Sequence, residues 1–216
     1  MKSALVVSTI GLLLCASIAA LPARSVDTAG NESEVADTGS ALQRISAQLQ
    51  QPAQMLGEFR QQKILPNLPR PLQSSGVIAL SQELGISWNT TAPVPSRIVM
   101  GGNSDAATSS AFSRQMAEPM LHILNGDFQA LQQTFYVDAG YAADVDDPQV
   151  PQWKMSLRPR SARLQKYLQA IEIFGADSVH RIRLLEGNQS VTDIELLNMK
   201  SVAAQDVQFL AAFEQR

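Results

Sequence analysis

Apolar and polar positions change period several times along this chain. Phe59, Gln61, Lys63 and Leu65 share one side of an alternating run, with Arg60, Gln62 and Ile64 on the other. That pattern predicts a strand over Leu56–Ile64. Pro66, Pro69 and Pro71 then exclude a regular helix or an inner strand, so the chain reads there as a rigid connector. Further short strands are expected at Gly76–Leu80, Ile86–Trp88 and Arg97–Met100. They are separated by a turn at Gln82–Gly85 and by Pro93 and Pro95, and Gly101-Gly102-Asn103 closes the last of them. Trp153–Arg158 alternates apolar against polar until Pro159, and Ile171–Phe174 stops at Gly175. His180–Leu184 alternates and Gly187-Asn188 turns. The return strand places Thr192, Ile194 and Leu196 on one face, and Val191, Asp193 and Glu195 on the other.

Helical spacing is rarer. Ser40 is placed to cap a helix whose stripe is Leu42, Ile45 and Leu49, with Pro52 ending it. Met116, Met120 and Leu124 recur at helical spacing, beside Leu121 and Ile123, and Asn125-Gly126 is the stop signal. Pro119 either kinks this helix or starts it. Phe128 and Leu131 add a turn of helix before a strand at Phe135-Tyr136-Val137, and 138–150 read as an acidic loop. Leu164–Leu168 suits a helical turn. Ala203–Phe213 closes the chain as a helix with Val207, Leu210 and Phe213 on one side. The sum is a mainly β, α+β chain of about eight to ten antiparallel strands with two or three helices. A sheet of that size curls, and a half-closed one leaves an apolar concavity unless side chains or helices fill it.

Composition adds a compartment to this picture. The 216 residues, 45% hydrophobic, suffice for one domain with something in front of it. Met1-Lys2, the apolar run Ala4–Ala20 and the small residues Ala19, Ala20 and Ala23 match a cleaved secretion signal over 1–20. An uncleaved anchor is the competing reading, and the run is at the short edge for a span. Residues 21–39, polar with Gly30 and Gly39, read as linker, which leaves 40–216 as the domain. Cys15, the single cysteine, lies inside the signal behind Leu14 rather than a small residue, which argues against lipidation. Removing Lys2 leaves 16 cations against 20 acids, a net charge of −4 that argues against nucleic acid as a partner.

No nucleophile with a base emerges. There is no G-x-S-x-G elbow, and His122 and His180 have no sequence link to a serine. Asp138, Asp144, Asp146 and Asp147 do not fit a calcium loop, and no metal spacing, phosphate loop or dinucleotide fingerprint is present. The chain is therefore expected to have no catalytic residues, no metal and no cofactor. Two features suit binding. The Met116/Met120 segment is either a pliable lid over a lipid pocket or a plain core helix. The run Lys154, Arg158, Arg160, Arg163 and Lys166 either meets anionic headgroups or an acidic partner, or is a solvated face.

An ordered set of short motifs resembles the LolA-like periplasmic carriers of outer-membrane lipoproteins. It runs Gly57-x-Phe59-x-Gln61-x-Lys63-x-Leu65, Pro71-Leu72-x-Ser74-x-Gly76, Gly85-Ile86-Ser87-Trp88 and Pro93. It continues through Met120–Asp127, Phe135, Trp153-x-Met155-x-Leu157-x-Pro159, Ile171-x-Ile173-x-Gly175, Gly187-Asn188 and Thr192-x-Ile194. The resemblance implies an unclosed antiparallel β-barrel with helices covering a hydrophobic cavity. That cavity would hold acyl chains of lipoproteins or other lipids between inner and outer membrane. It further implies a monomeric periplasmic protein served by an inner-membrane exporter and an outer-membrane acceptor. The lipid-binding set would be Phe59, Trp88, Met116, Met120, Leu124 and Trp153. Lys63, Arg158 and Arg160 would meet a partner or headgroup. Many members carry an arginine, usually before a proline, between the second strand and the tryptophan strand. Here Ser81-Gln82-Glu83-Leu84-Gly85 stands there, so that arginine's contacts do not carry over and the chain resembles a divergent branch. A secreted hydrolase and an interaction protein with a filled core are the alternatives.

Overall fold

The computed structural model describes residues 29–49, 52–101, 119–141 and 152–214, with side chains from residue 38 onward. The expected signal at 1–20, most of the acidic loop, and Met116 lie outside the described residues.

Helix α1 (Ala29–Gln48) precedes nine strands: β1 (Gln54–Ile64), β2 (Leu72–Ser81), β3 (Gly85–Ala92), β4 (Ser96–Met100), β5 (Phe135–Tyr141), β6 (Trp153–Pro159), β7 (Leu168–Gly175), β8 (Val179–Glu186) and β9 (Val191–Ser201). Between β4 and β5 lie α2, whose described part is 119–124, and α3 (Phe128–Thr134). A single turn, α4 (Ala162–Gln165), joins β6 to β7, and α5 (Val207–Phe213) follows β9. The strands form one antiparallel sheet in the order β4-β3-β2-β1-β9-β8-β7-β6-β5. β4 and β5 are its edges and do not pair with each other, so the sheet curls without closing.

Strand alternation sorts the two faces. The inner face carries Phe59, Ile78, Leu80, Ile86, Ile182 and Ile194, all buried in one continuous core. In β6 every second residue is buried, and these are Trp153, Met155, Leu157 and Pro159. The helices come down on this face: Ala41, Leu42 and Ile45 of α1, Met120 and Ile123 of α2, and Phe128 and Leu131 of α3 belong to the same core. On the outer face, α5 lies over β2 and β3, where Phe209 and Ala212 pack on Leu56 and Ala79. Ser87 Oγ donates to the Ala212 carbonyl and ties the end of α5 to β3.

Five expectations need correction. The first helix begins at Ala29, not at Ser40. Gly30 and Gly39 cost a helix only about 1 kcal/mol each, and burial of Ala41, Leu42 and Ile45 outweighs that. β2 begins at Leu72, because Pro71 bars only its own position and Lys63 pairs with Leu72 across the ladder. Asp138 belongs to β5, opposite Ser156, rather than to a loop. The last helix starts at Val207, where Asp206 accepts from Gln208 and Phe209 N–H, and its buried side is Phe209 and Ala212. Val207 and Leu210 face solvent. The turns expected at Phe128/Leu131 and Leu164–Leu168 are helices in their own right, α3 and α4, so the described residues hold five helices rather than two or three.

Candidate functional site

The candidate site is the inner face with its helical cover. Phe59 and Trp88 lie on neighbouring inner positions of β1 and β3, their rings 4.2 Å apart and tilted by 37°. They are separated on β2 by Gly76, which pairs with Phe59 and Thr90 and where an added Cβ would overlap the Asn89 carbonyl. Met120 is buried and Leu124 is half-buried, and both belong to the core that contains Phe59 and Trp88. Leu124 also borders a narrow apolar cleft of about 20 Å³ with Leu49, Met55, Leu80 and Met199. Trp153 sits further round the sheet. Its ring is edge-on to Phe128 at 6.2 Å, and its Nε1 donates to the Ala176 carbonyl at 2.8 Å. The ring lies against Gly175, where an added Cβ would overlap the Trp153 indole. Five of the six expected lipid-facing residues thus join one core.

The cover is intimate: Ile45 and Ile123 have no solvent exposure. Tyr141 at the edge strand donates to Gln48 of α1 at 3.2 Å, and Arg44 lies over the Tyr141 ring. A groove of about 590 Å³ opens between α1 and α3, lined by Leu42, Gln43, Ser46, Phe128 and Gln132 among others.

Polar chemistry enters this face at one end. Lys63 lies two positions beyond Gln61 on the Phe59 side of β1, opposite Thr192. Its Nζ contacts both carboxylate oxygens of Glu186, at 2.6 and 2.9 Å, and Thr192 Oγ1 donates to the same carboxylate at 2.9 Å. The side chains of Lys63 and Glu186 are 30% and 11% exposed, so the ion pair is largely withdrawn from water. Ser190, fully buried, has no hydrogen-bond partner for its hydroxyl among the described residues. Glu186 was missed in the sequence, although it continues the inward series Ile182, Leu184 and so marks a charge at a core position.

The three expected cationic contacts do not form one site. Lys63 is on the inner face and bound to Glu186. Arg158 is exposed on the outer face of β6, where the strand places Tyr136 opposite it. Arg160 is held by the protein itself: its Nε donates to the Gln132 and Phe135 carbonyls, and its guanidinium lies 4.1 Å from the Tyr136 ring centre. Lys154, from the same basic run, pairs with Glu172 at 2.7 Å. It opens an outer-face ladder that passes through Arg183 to Asp193 and Arg181. The hydrogen bond from Arg181 holds the Asp193 carboxyl below its ordinary range, Arg183 adds to this, and burial opposes it.

His122 Nδ1 is 3.2 Å from Asp127, which also caps α3 through the Ala130 N–H. His180 is pushed below its ordinary pKa by burial and, secondarily, by Arg181. Among the described residues no group of three His, Cys, Asp or Glu side chains could hold a metal ion. None of the described helices is long and apolar enough to cross a membrane.

No family model matches the chain, and no curated protein does. Solved structures are similar to it. A LolA superfamily protein from Nitrosomonas europaea shares 12% identity at a TM-score of 0.41, covering 80% of this chain and 97% of that one. A DUF1329 family protein from Desulfovibrio piger shares 11% at 0.36, covering 82% and 99%. A domain described as an outer membrane lipoprotein-sorting protein, from Vibrio parahaemolyticus, shares 6% at 0.36, covering 82% and 100%.

Proposed function

We propose that this protein is a periplasmic carrier that takes up the acyl chains of a lipoprotein or other lipid on the inner face of its sheet. One observation carries the reading: the apolar face is covered by helices rather than by strand closure. A helix that lifts from a sheet breaks no ladder hydrogen bonds, so the Leu42, Ile45, Met120 and Leu124 side chains can give way to an acyl chain at the cost of their own packing. Methionine is suited to this exchange because its unbranched side chain refits irregular apolar surfaces. The proposal includes a signal at 1–20, delivery by an inner-membrane exporter, release to an outer-membrane acceptor, action as a monomer, and no catalytic step.

The second reading, an interaction protein with a filled core, draws on the full burial of Ile45 and Ile123. Organic extraction of protein purified from periplasm without detergent, followed by mass spectrometry, separates the two. A stoichiometric acylated species supports the carrier and identifies its cargo class. A lipid-free protein that also ignores a fluorescent acyl probe supports the filled core. Loss of an assayed hydrolytic activity in His122→Ala or His180→Ala would instead favour an enzyme.

A further inference from the structure

The antiparallel order brings four connections to one end of the sheet: 65–71 between β1 and β2, 93–95 between β3 and β4, 160–167 between β6 and β7, and 187–190 between β8 and β9. These segments contain four cations, Arg70, Arg160, Arg163 and Lys166, and no acid. Arg70, Arg163 and Lys166 are exposed and make no ion pair among the described residues. The connections at the opposite end have the reverse character, with Glu83, Asp177 and Asp206 and no cation in 82–84, 176–178 and 202–206. The connections at this end are therefore wholly cationic in a chain of net charge −3, and Glu186, at the strand terminus beside them, is paired with Lys63.

Among the described residues, that end is also where most of the exposed large apolar side chains lie. Ile64, Leu68, Leu72, Val94, Tyr136 and Tyr167 are each 46% to 71% exposed there, on these connections or on the strand termini beside them. Three of the connections are in contact. Gly187 N–H donates to the Tyr167 carbonyl at 3.0 Å, and Leu65, Pro66 and Leu68 border a depression of about 540 Å³ with Asn188, Gln189 and Ser190. The prolines at 66, 69 and 71 hold Leu68 and Arg70 out without the entropy cost of a flexible loop.

We propose that this end docks on the surface of an anionic phospholipid bilayer. Scattered exposed apolar residues need no explanation, but here they are gathered at one tip and interleaved with cations. A lipid surface meets both requirements: its headgroups take the arginines and the lysine, and its interfacial zone takes leucine and tyrosine. An acidic protein surface would satisfy the charges and leave Leu68, Leu72 and Val94 in water. The inference stands apart from the carrier reading, since a surface-docking tip does not require a cargo.

The test is sedimentation of the purified protein with vesicles of mixed phosphatidylglycerol and phosphatidylcholine, against phosphatidylcholine alone. Wild type and variants are compared in the same form, so any contribution of residues 1–20 cancels. Wild type is expected to prefer the anionic vesicles and to be released by salt. Affinity should fall roughly fivefold for each cation removed, and on the order of 100-fold in Arg70→Gln/Arg163→Gln/Lys166→Gln. Leu68→Ser/Leu72→Ser should also weaken binding, and Val207→Ser/Leu210→Ser, exposed elsewhere, should not. All the substituted side chains are exposed, so folding is spared, and circular dichroism checks it. Equal binding to neutral vesicles, a triple variant that binds like wild type, or an equal loss in the Val207/Leu210 variant each overturns the proposal. Acyl-probe binding on the same samples reports on the carrier reading separately.

Discussion

Replacing Lys63 by methionine tests how a charge pair survives on an apolar face. The substitution keeps the aliphatic stem and deletes the ammonium, leaving Glu186 with Thr192 as its partner. Removing one member of a fully buried pair costs about 3–5 kcal/mol, because the other charge stays behind. Lys63 is 30% exposed and water reaches it, so the expectation drops to about 1–3 kcal/mol. For a domain of this size, a loss of about 2 kcal/mol lowers Tm by about 4–8 °C. Glu186→Leu alone should cost less, about 0.5–1.5 kcal/mol, because the stranded lysine can turn its ammonium outward. The double variant Lys63→Met/Glu186→Leu should return to within about 1 kcal/mol of wild type, since no charge remains to be desolvated. Urea unfolding followed by the fluorescence of Trp88 and Trp153, both in the same core, yields all four free energies. If the single losses simply add, with a coupling below about 0.5 kcal/mol, the pair is a solvated surface contact and the reasoning fails.

Three further outcomes follow from the packing and the titrating groups. Gly175→Ala pushes a methyl into the Trp153 ring and should destabilise by about 1–3 kcal/mol, with a shift in tryptophan emission; an unchanged urea midpoint would refute the close approach. Phe209→Ala should cost about 3–5 kcal/mol while Val207→Ser stays within about 0.5 kcal/mol, the reverse of what the stripe Val207/Leu210/Phe213 suggests, and thermal melts of both variants decide it. His180 has a lowered folded pKa, so the unfolded chain binds its proton more readily: this stability is whole above about pH 6.5 and is lost as pH falls from there towards the folded value. His180→Gln should flatten that part of the stability profile, and a variant whose slope matches wild type would show that the histidine is not responsible.

The strand at Phe59 could be read from its period because alternation is a local property of the chain. So could the face of Thr192, Ile194 and Leu196, and the alternation of Trp153, Met155 and Leu157, since each strand shows its buried side to the sequence whatever it pairs with. Lys63 was legible as a residue on the Phe59 side, and the anionic neighbour it needs was not, because Glu186 arrives from β8, across β9, by the fold of the sheet. The short helices resisted for another reason. In a seven-residue helix such as α5, two or three apolar positions fit more than one stripe, and only contact with Leu56 and Ala79 selects Phe209 and Ala212. Arg158 and Arg160 stand close together in sequence, yet one is exposed on the outer face and the other is bound to carbonyls of α3 and β5. By itself, then, the sequence determined the mainly β class, most strands and the inward residues, all of which depend on local periodicity. The open sheet with a helical cover was already implied by the resemblance; tertiary structure alone decided that β4 and β5 are its edges, which helices fill the inner face, and that four distant connections lie at one end of the sheet, three of them in contact. These depend on which strands become neighbours, and strand neighbours are chosen by packing over the whole chain rather than by any stretch of it.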